Sequence, residues 1–230
     1  MANQILLVTP GDHMGQRELF AAKPDTPVTP IGRSHCHVVS ASIRALDVSM
    51  LCHGPAFRAS LTAKLISIVH EGLFPREVPG LDEVNTGRWQ GLTIAEVQQD
   101  PEWKNWLTSP DDFRFPGGET MAEAGNRLMK VLNGLPAHPD RPIVLVTHPG
   151  TIRAALAQIL GCSIASVLKL GFTPVGITQL FQNDEGWTVG GINLRGAYRL
   201  ATPVNTGGWP KDIEAVGEHW APGGRTRLDF

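Results

Sequence analysis

Three short, mostly apolar runs set what this 230-residue chain can fold into. They are Ile5-Leu6-Leu7-Val8, residues 48–52, and Pro142-Ile143-Val144-Leu145-Val146. Each stops at a loop: Thr9-Pro10-Gly11, His53-Gly54-Pro55 and Thr147-His148-Pro149-Gly150. A strand apolar on both faces must be covered on both, which is the condition of a parallel sheet between helices. The intervening segments supply those helices. Thr29-Pro30, an N-cap followed by a first-turn proline, predicts a helix to about Leu46 with Ile31, Val38, Val39 and Ile43 inward. A second helix passes through Phe57, Leu61, Leu65 and Ile68 and stops at Gly72. A third opens at Gly118-Glu119-Thr120 and reaches about Leu132, and a fourth covers 152–160 and stops at Gly161. Alternation at 175–181 and 187–192 around Asn183-Asp184-Glu185-Gly186 predicts an antiparallel edge hairpin. The class expected is α/β, a three-layer sandwich with a mostly parallel sheet and an antiparallel edge strand.

Residues 12–28 read as irregular surface. Residues 74–118 read as a loop-rich insertion with short helical patterns at 93–99 and 101–107, the form of a segment that covers something. The expected domain is 1–197. A tail at 198–230, containing Gly, Pro and Trp, is expected to wrap the domain, cover its pocket or mediate homo-oligomer formation. The formal charge of −2 and pI near 6.4 argue against a nucleic-acid partner. No run is long enough to span a bilayer, and 5–8 is too short for the apolar part of a signal peptide. Three cysteines without metal-type spacing suit a reduced, cytoplasmic setting. His35, Cys36 and His37 point apart on a helix, so no metal site is expected there or with Cys52-His53. No cofactor is expected.

In an open α/β sheet, ligands bind beyond the carboxyl ends of the strands. The loops at 9–13, 53–58 and 147–150 therefore carry the candidate chemistry. Arg58 in the first turn of a helix suits an anion, which also gains from free backbone N–H groups. His148 and His13 offer acid/base groups near neutral pH.

These loops, with their neighbours, resemble the histidine phosphatase superfamily, phosphoglycerate mutase-like, over about residues 4–195. The resemblance rests on Gly54-Pro55-Ala56-Phe57-Arg58-Ala59-Ser60-Leu61-Thr62-Ala63, and on Leu81-Asp82-Glu83 followed by Gly87-Arg88-Trp89-Gln90-Gly91. It rests also on Pro116-Gly117-Gly118-Glu119-Thr120 and on Val146-Thr147-His148-Pro149-Gly150. It implies a phosphoglycerate mutase-like fold. It also implies a pocket in which Arg58 and His148 hold an anionic group while Glu83 handles a proton. Thr9, Gly11, His53 and Thr147 join Arg58 as expected substrate-binding residues, and His13 joins His148 and Glu83 as expected catalytic groups. The first motif departs from the family. Thr9-Pro10-Gly11 stands where the family has Arg-His-Gly, whose histidine attacks phosphorus. Proline has no lone pair to attack with and no N–H to donate, and covalent catalysis needs an activated nucleophile. Loss of the arginine removes a permanent cation and a bidentate phosphate donor. The expectation is a repurposed enzyme acting on a small anionic metabolite, carboxylate- or phosphate-bearing, by general acid/base chemistry of hydrolase, lyase or isomerase type. Two alternatives stand beside it: a catalytically silent ligand-binding or scaffold protein, and a residual phosphatase using His13.

Overall fold

In the computed structural model, which describes residues 3–138 and 140–195, the three apolar runs lie side by side in one six-stranded sheet. The strands are β1 (Asn3–Val8), β2 (Met50–His53), β3 (Arg76–Glu77), β4 (Ile143–Val146), β5 (Ile177–Asn183) and β6 (Gly186–Leu194), in the order β3-β2-β4-β1-β5-β6. Leu145 of β4 faces Leu7 of β1 on one side and Cys52 of β2 on the other, both in parallel register. β5 runs antiparallel to β1, and β6 closes the edge as its hairpin partner.

The period of two along each strand sorts its side chains into two cores. Leu6, Val8, Val144 and Val146 pack with Val39, Ile43, Ala59 and Ile66 of helices α1 (Pro30–Ile43) and α2 (Phe57–Ser67). Ile5, Leu7, Ile143 and Leu145 pack on the other face with Leu128 and Ile152 of α5 (Met121–Asn133) and α6 (Pro149–Leu160). Full burial of a side chain of this size contributes about 1.5–3 kcal/mol. The three layers therefore follow from strands that leave no polar face to water.

The inward face of α1 keeps Val39 and Ile43 as expected and differs at Ile31 and Val38. Ile31 and Val38 are 60% and 57% exposed, Phe57 and Ile68 also face outward, and α1 ends at Ile43 rather than Leu46. The buried positions are Gly32, Cys36, Val39, Ser40 and Ile43 on α1, and Arg58, Ala59, Thr62, Ala63 and Ile66 on α2. Close approach is the reason. A Cβ on Gly32 would lie 2.1 Å from the Asp12 carbonyl oxygen, and one on Gly11 would lie 2.8 Å from Cys36 Sγ. Small residues face inward there because larger ones have no room.

The insertion carries two short helices, α3 (Ile94–Val97) and α4 (Trp103–Thr108), and α7 (Ile164–Val167) follows α6. An aromatic cluster anchors the insertion. Trp89 is fully buried, stacks on Phe113 at 5.5 Å and meets Phe115 edge-on at 5.7 Å. Its indole N–H donates to Asp100 at 2.7 Å. Residues 12–28 are irregular yet tied down, with the Phe20 N–H donating to the Leu92 carbonyl and the Gly91 N–H to Ala21. The anticipated tail at 198–230, with its oligomer role, lies outside the described residues. Among the described residues no helix is long and apolar enough to cross a membrane, and no group of three or more metal-ligating side chains converges.

The turn at Gly87 holds the insertion against the start of α5. Its φ is +54°, and a Cβ there would lie 2.1 Å from the Pro116 carbonyl oxygen. Gly87→Ala is expected to destabilise the fold by more than about 1 kcal/mol. A urea midpoint equal to that of the native chain would contradict this.

Candidate active site

A cleft of about 550 Å3 opens at the carboxyl ends of β1, β2 and β4. Thr9 and Pro10 reach it from the end of β1, Arg58 from the first turn of α2, Glu83 from the segment after β3, and His148 as the N-cap of α6. His13 lines it from the β1–α1 connection. Of the residues expected at the site, Thr9, His13, Arg58, Glu83 and His148 are thus brought together.

Arg58 is 3% exposed, and its side chain makes a single hydrogen bond among the described residues, from Nη1 to the Lys23 carbonyl at 2.8 Å. It has no close ion pair among them. Burial lowers its pKa, opposed first by Glu83 and then by Asp82. A buried guanidinium without a close counterion is a standing attraction for an anion.

His148 is 1% exposed, and its Nε2 is buried without a hydrogen-bond partner among the described residues. The nearest carboxylate oxygen, Asp82 Oδ1, is 3.9 Å away. Burial, followed by the charges of Arg58, His13 and Arg127, holds its pKa well below the usual imidazole value, so the ring is neutral at pH 7. His13 is half-buried with Nδ1 3.1 Å from the Met14 carbonyl. Its pKa is lowered by burial and by Arg58, against the opposing Met14 carbonyl and Asp12.

Glu83 sits at the N-terminus of α6. Oε1 accepts from the Val84 N–H at 2.9 Å and the Thr151 N–H at 3.1 Å, while Oε2 accepts from the Gly150 N–H at 3.4 Å. The free N–H groups of a helix start favour a negative charge there. Gly150 makes the approach possible, since a Cβ on it would lie 2.5 Å from Glu83 Oε1.

Four expected binding residues are otherwise engaged. The Thr9 hydroxyl, though at the cleft wall, donates to the Thr173 carbonyl at 2.6 Å and accepts from the Gly176 N–H at 2.9 Å. Gly11, His53 and Thr147 are not part of the cleft lining. The Gly11 N–H donates to Thr62, His53 Nδ1 lies 2.7 Å from the Gly54 carbonyl, and the Thr147 hydroxyl donates to the Leu81 carbonyl. Each is consumed by structural bonding.

The cleft also holds residues that the sequence did not single out. Thr86 has a buried hydroxyl without a partner. Arg153 donates twice to the Leu170 carbonyl and lies over the Phe172 ring at 5.0 Å. Its place one turn after Gly150 on α6 was a usable signal, whereas nothing local marked Thr86.

The profile of the histidine phosphatase superfamily, branch 1, matches residues 7–195. The chain belongs to this superfamily. Among curated members, it is 26% identical over 200 residues to a probable phosphoglycerate mutase, GpmB, of Yersinia enterocolitica, covering 84% of this chain and 92% of that one. It is 24% identical over 182 residues to a putative phosphoserine phosphatase of Hydrogenobacter thermophilus, covering 77% and 88%. The fold agrees. A putative alpha-ribazole-5'-P phosphatase of Escherichia coli superposes with a TM-score of 0.76 at 17% identity, over 86% of this chain and 99% of that one. A mycobacterial glucosyl-3-phosphoglycerate phosphatase gives 0.73 at 24%, over 84% and 99%. The superfamily fold and this chain's six-stranded sheet are one architecture.

His148 also ties stability to pH. Its folded pKa is below the unfolded value, so between the two the unfolded chain binds the extra proton and stability rises with pH. The contribution is fully present above about pH 6.5, the unfolded value, and is lost as the pH falls below it. Urea unfolding at pH 7.5 and 5.5 is expected to show lower stability at 5.5, with the loss reduced in His148→Gln. Identical pH dependence in the two proteins would contradict the assignment.

Proposed function

We propose that this superfamily member binds a small anionic metabolite and acts on it by general acid/base chemistry, without a phosphohistidine intermediate. One observation carries the reading: a buried guanidinium with no close counterion among the described residues shares a cleft with a buried imidazole whose Nε2 has no partner among them. Pro10 stands where the family's attacking histidine is expected and has no atom that can bond to phosphorus.

In this reading Arg58 holds the anionic group. His148, neutral at pH 7, takes a proton at its free ring nitrogen. For an ester or lactone, water adds to the carbonyl carbon as His148 removes its proton. That proton then passes to the leaving alkoxide as the C–O bond breaks. For an isomerisation, the same nitrogen removes a proton from carbon and returns it at a neighbouring position. Glu83, held at the start of α6 and lining the same cleft, is the second acid/base group in this reading. His13 assists from the opposite loop.

The relatives' names favour phosphatase or mutase chemistry, and the second reading is a residual phosphatase that uses His13. A panel of phosphomonoesters tests it: phosphate release abolished by His13→Ala would establish it. A silent binding protein would bind anions without turnover.

For the leading reading, purified protein is screened against esters, lactones and hydroxy acids. A general acid/base group is worth about 10²–10⁴-fold in rate. His148→Ala and Glu83→Gln are each expected to lower kcat by that order with folding retained. The absence of turnover across the panel, or activity indifferent to both substitutions, would contradict the proposal.

A further inference from the structure

The cleft has two unlike halves. Arg58, His148, His13 and Glu83 interact electrostatically and form a polar head site. The opposite wall is built from ring contacts. Phe20 of the β1–α1 connection lies 6.4 Å from Trp106 of α4 and 6.1 Å from Phe115, and Trp106 lies 5.0 Å from Phe115. Leu168 and Phe172, beyond α7, line the cleft as well and are only partly buried.

A volume of about 550 Å3 exceeds what an anionic group and a few carbons would fill. It lies within the range of roughly 300–1,000 Å3 typical of pockets that enclose a ligand of drug-like size. Two guanidinium groups line the cleft, but Arg153 gives its Nε and Nη2 to the Leu170 carbonyl, which leaves Arg58, unpaired with any carboxylate among the described residues, as the cation beside the buried imidazole. This matches a singly charged head such as a carboxylate better than a doubly charged one.

We propose that the ligand is an amphipathic carboxylate: a single anionic head on Arg58 and His148, with an alkyl or aryl body against the Phe20–Trp106–Phe115 wall and Leu168. This deepens the functional reading above and rests on it for the head site. The body binds by apolar burial, so each added methylene is worth a constant factor until the wall is covered.

Ligand-detected NMR titration of the full chain with acetate, butyrate, hexanoate and 4-phenylbutyrate tests it. Affinity is expected to rise about three- to fourfold per methylene and to rise again with the phenyl ring. Arg58→Met is expected to weaken hexanoate at least tenfold, and hexanol to bind more weakly than hexanoate. Leu168→Ser and Phe172→Leu, at partly exposed positions, are expected to flatten the rise with chain length. Carboxylate binding that depends on Arg58 but is indifferent to chain length would overturn this inference and leave the head site standing. Affinity that follows chain length equally in hexanol and hexanoate, unaffected by Arg58→Met, would overturn the head site. If no member of the series binds, both fail.

Discussion

The site depends on how residues 80–84 are held. This stretch has only a single short turn of its own, yet it carries Asp82 and Glu83. Arg127 of α5 donates to the carbonyls of Gly80 and Asp82 at 3.0 Å each and of Glu83 at 3.3 Å, while pairing with Glu119 at 2.8 Å. From the β4–α6 side, Thr147 and Thr151 donate to the carbonyls of Leu81 and Asp82, and the Gly150 and Thr151 N–H groups hold the Glu83 carboxylate. One set of bonds therefore fixes the acid and the loop bearing His148 in a single frame. Donors and charges set before a substrate arrives need no reorganisation during reaction, the main electrostatic advantage of an enzyme site. Thr147 thus serves the site indirectly, by building the frame.

Much of this fold was legible in the sequence because its cause is simple. Strands such as 5–8 and 143–146 have no polar residue, so only a doubly covered parallel sheet suits them, and Gly161 at φ +61° ends α6 where the sequence stops the helix. The helix faces were harder to read. Hydrophobicity assigned Ile31 and Val38 inward, but close packing decided the matter and selected Gly32 and Ser40 beside Val39 and Ile43. In the site, Arg58, Glu83 and His148 were legible as a set through their motifs. Thr86 and the Thr173 carbonyl were not: nothing local marks Thr86, and the Thr173 carbonyl meets Thr9 across the chain.

The first loop gives the site its individual character. Thr9 and Pro10 are fastened to the loop before β5: the Thr9 hydroxyl bonds to Thr173 and Gly176, and the Pro10 carbonyl accepts from the Val175 N–H at 3.2 Å. Val175 holds φ at +53°, a conformation costly for a β-branched residue, on the order of 1–3 kcal/mol. Thr9 and Pro10 are thereby committed to backbone bonding. The chain has the superfamily's sheet, and Phe20, Trp106 and Phe115 give the cleft an apolar side.

The most direct test of the account is the covalent state of the protein during exposure to a phosphoryl donor. The native chain and Pro10→His are incubated with a 32P-labelled phosphomonoester, quenched in alkali to preserve phosphohistidine, and mapped by peptide. The native chain is predicted to carry no label above background, and Pro10→His to acquire it at position 10. Alkali-stable label on His13 or His148 of the native chain would contradict the account.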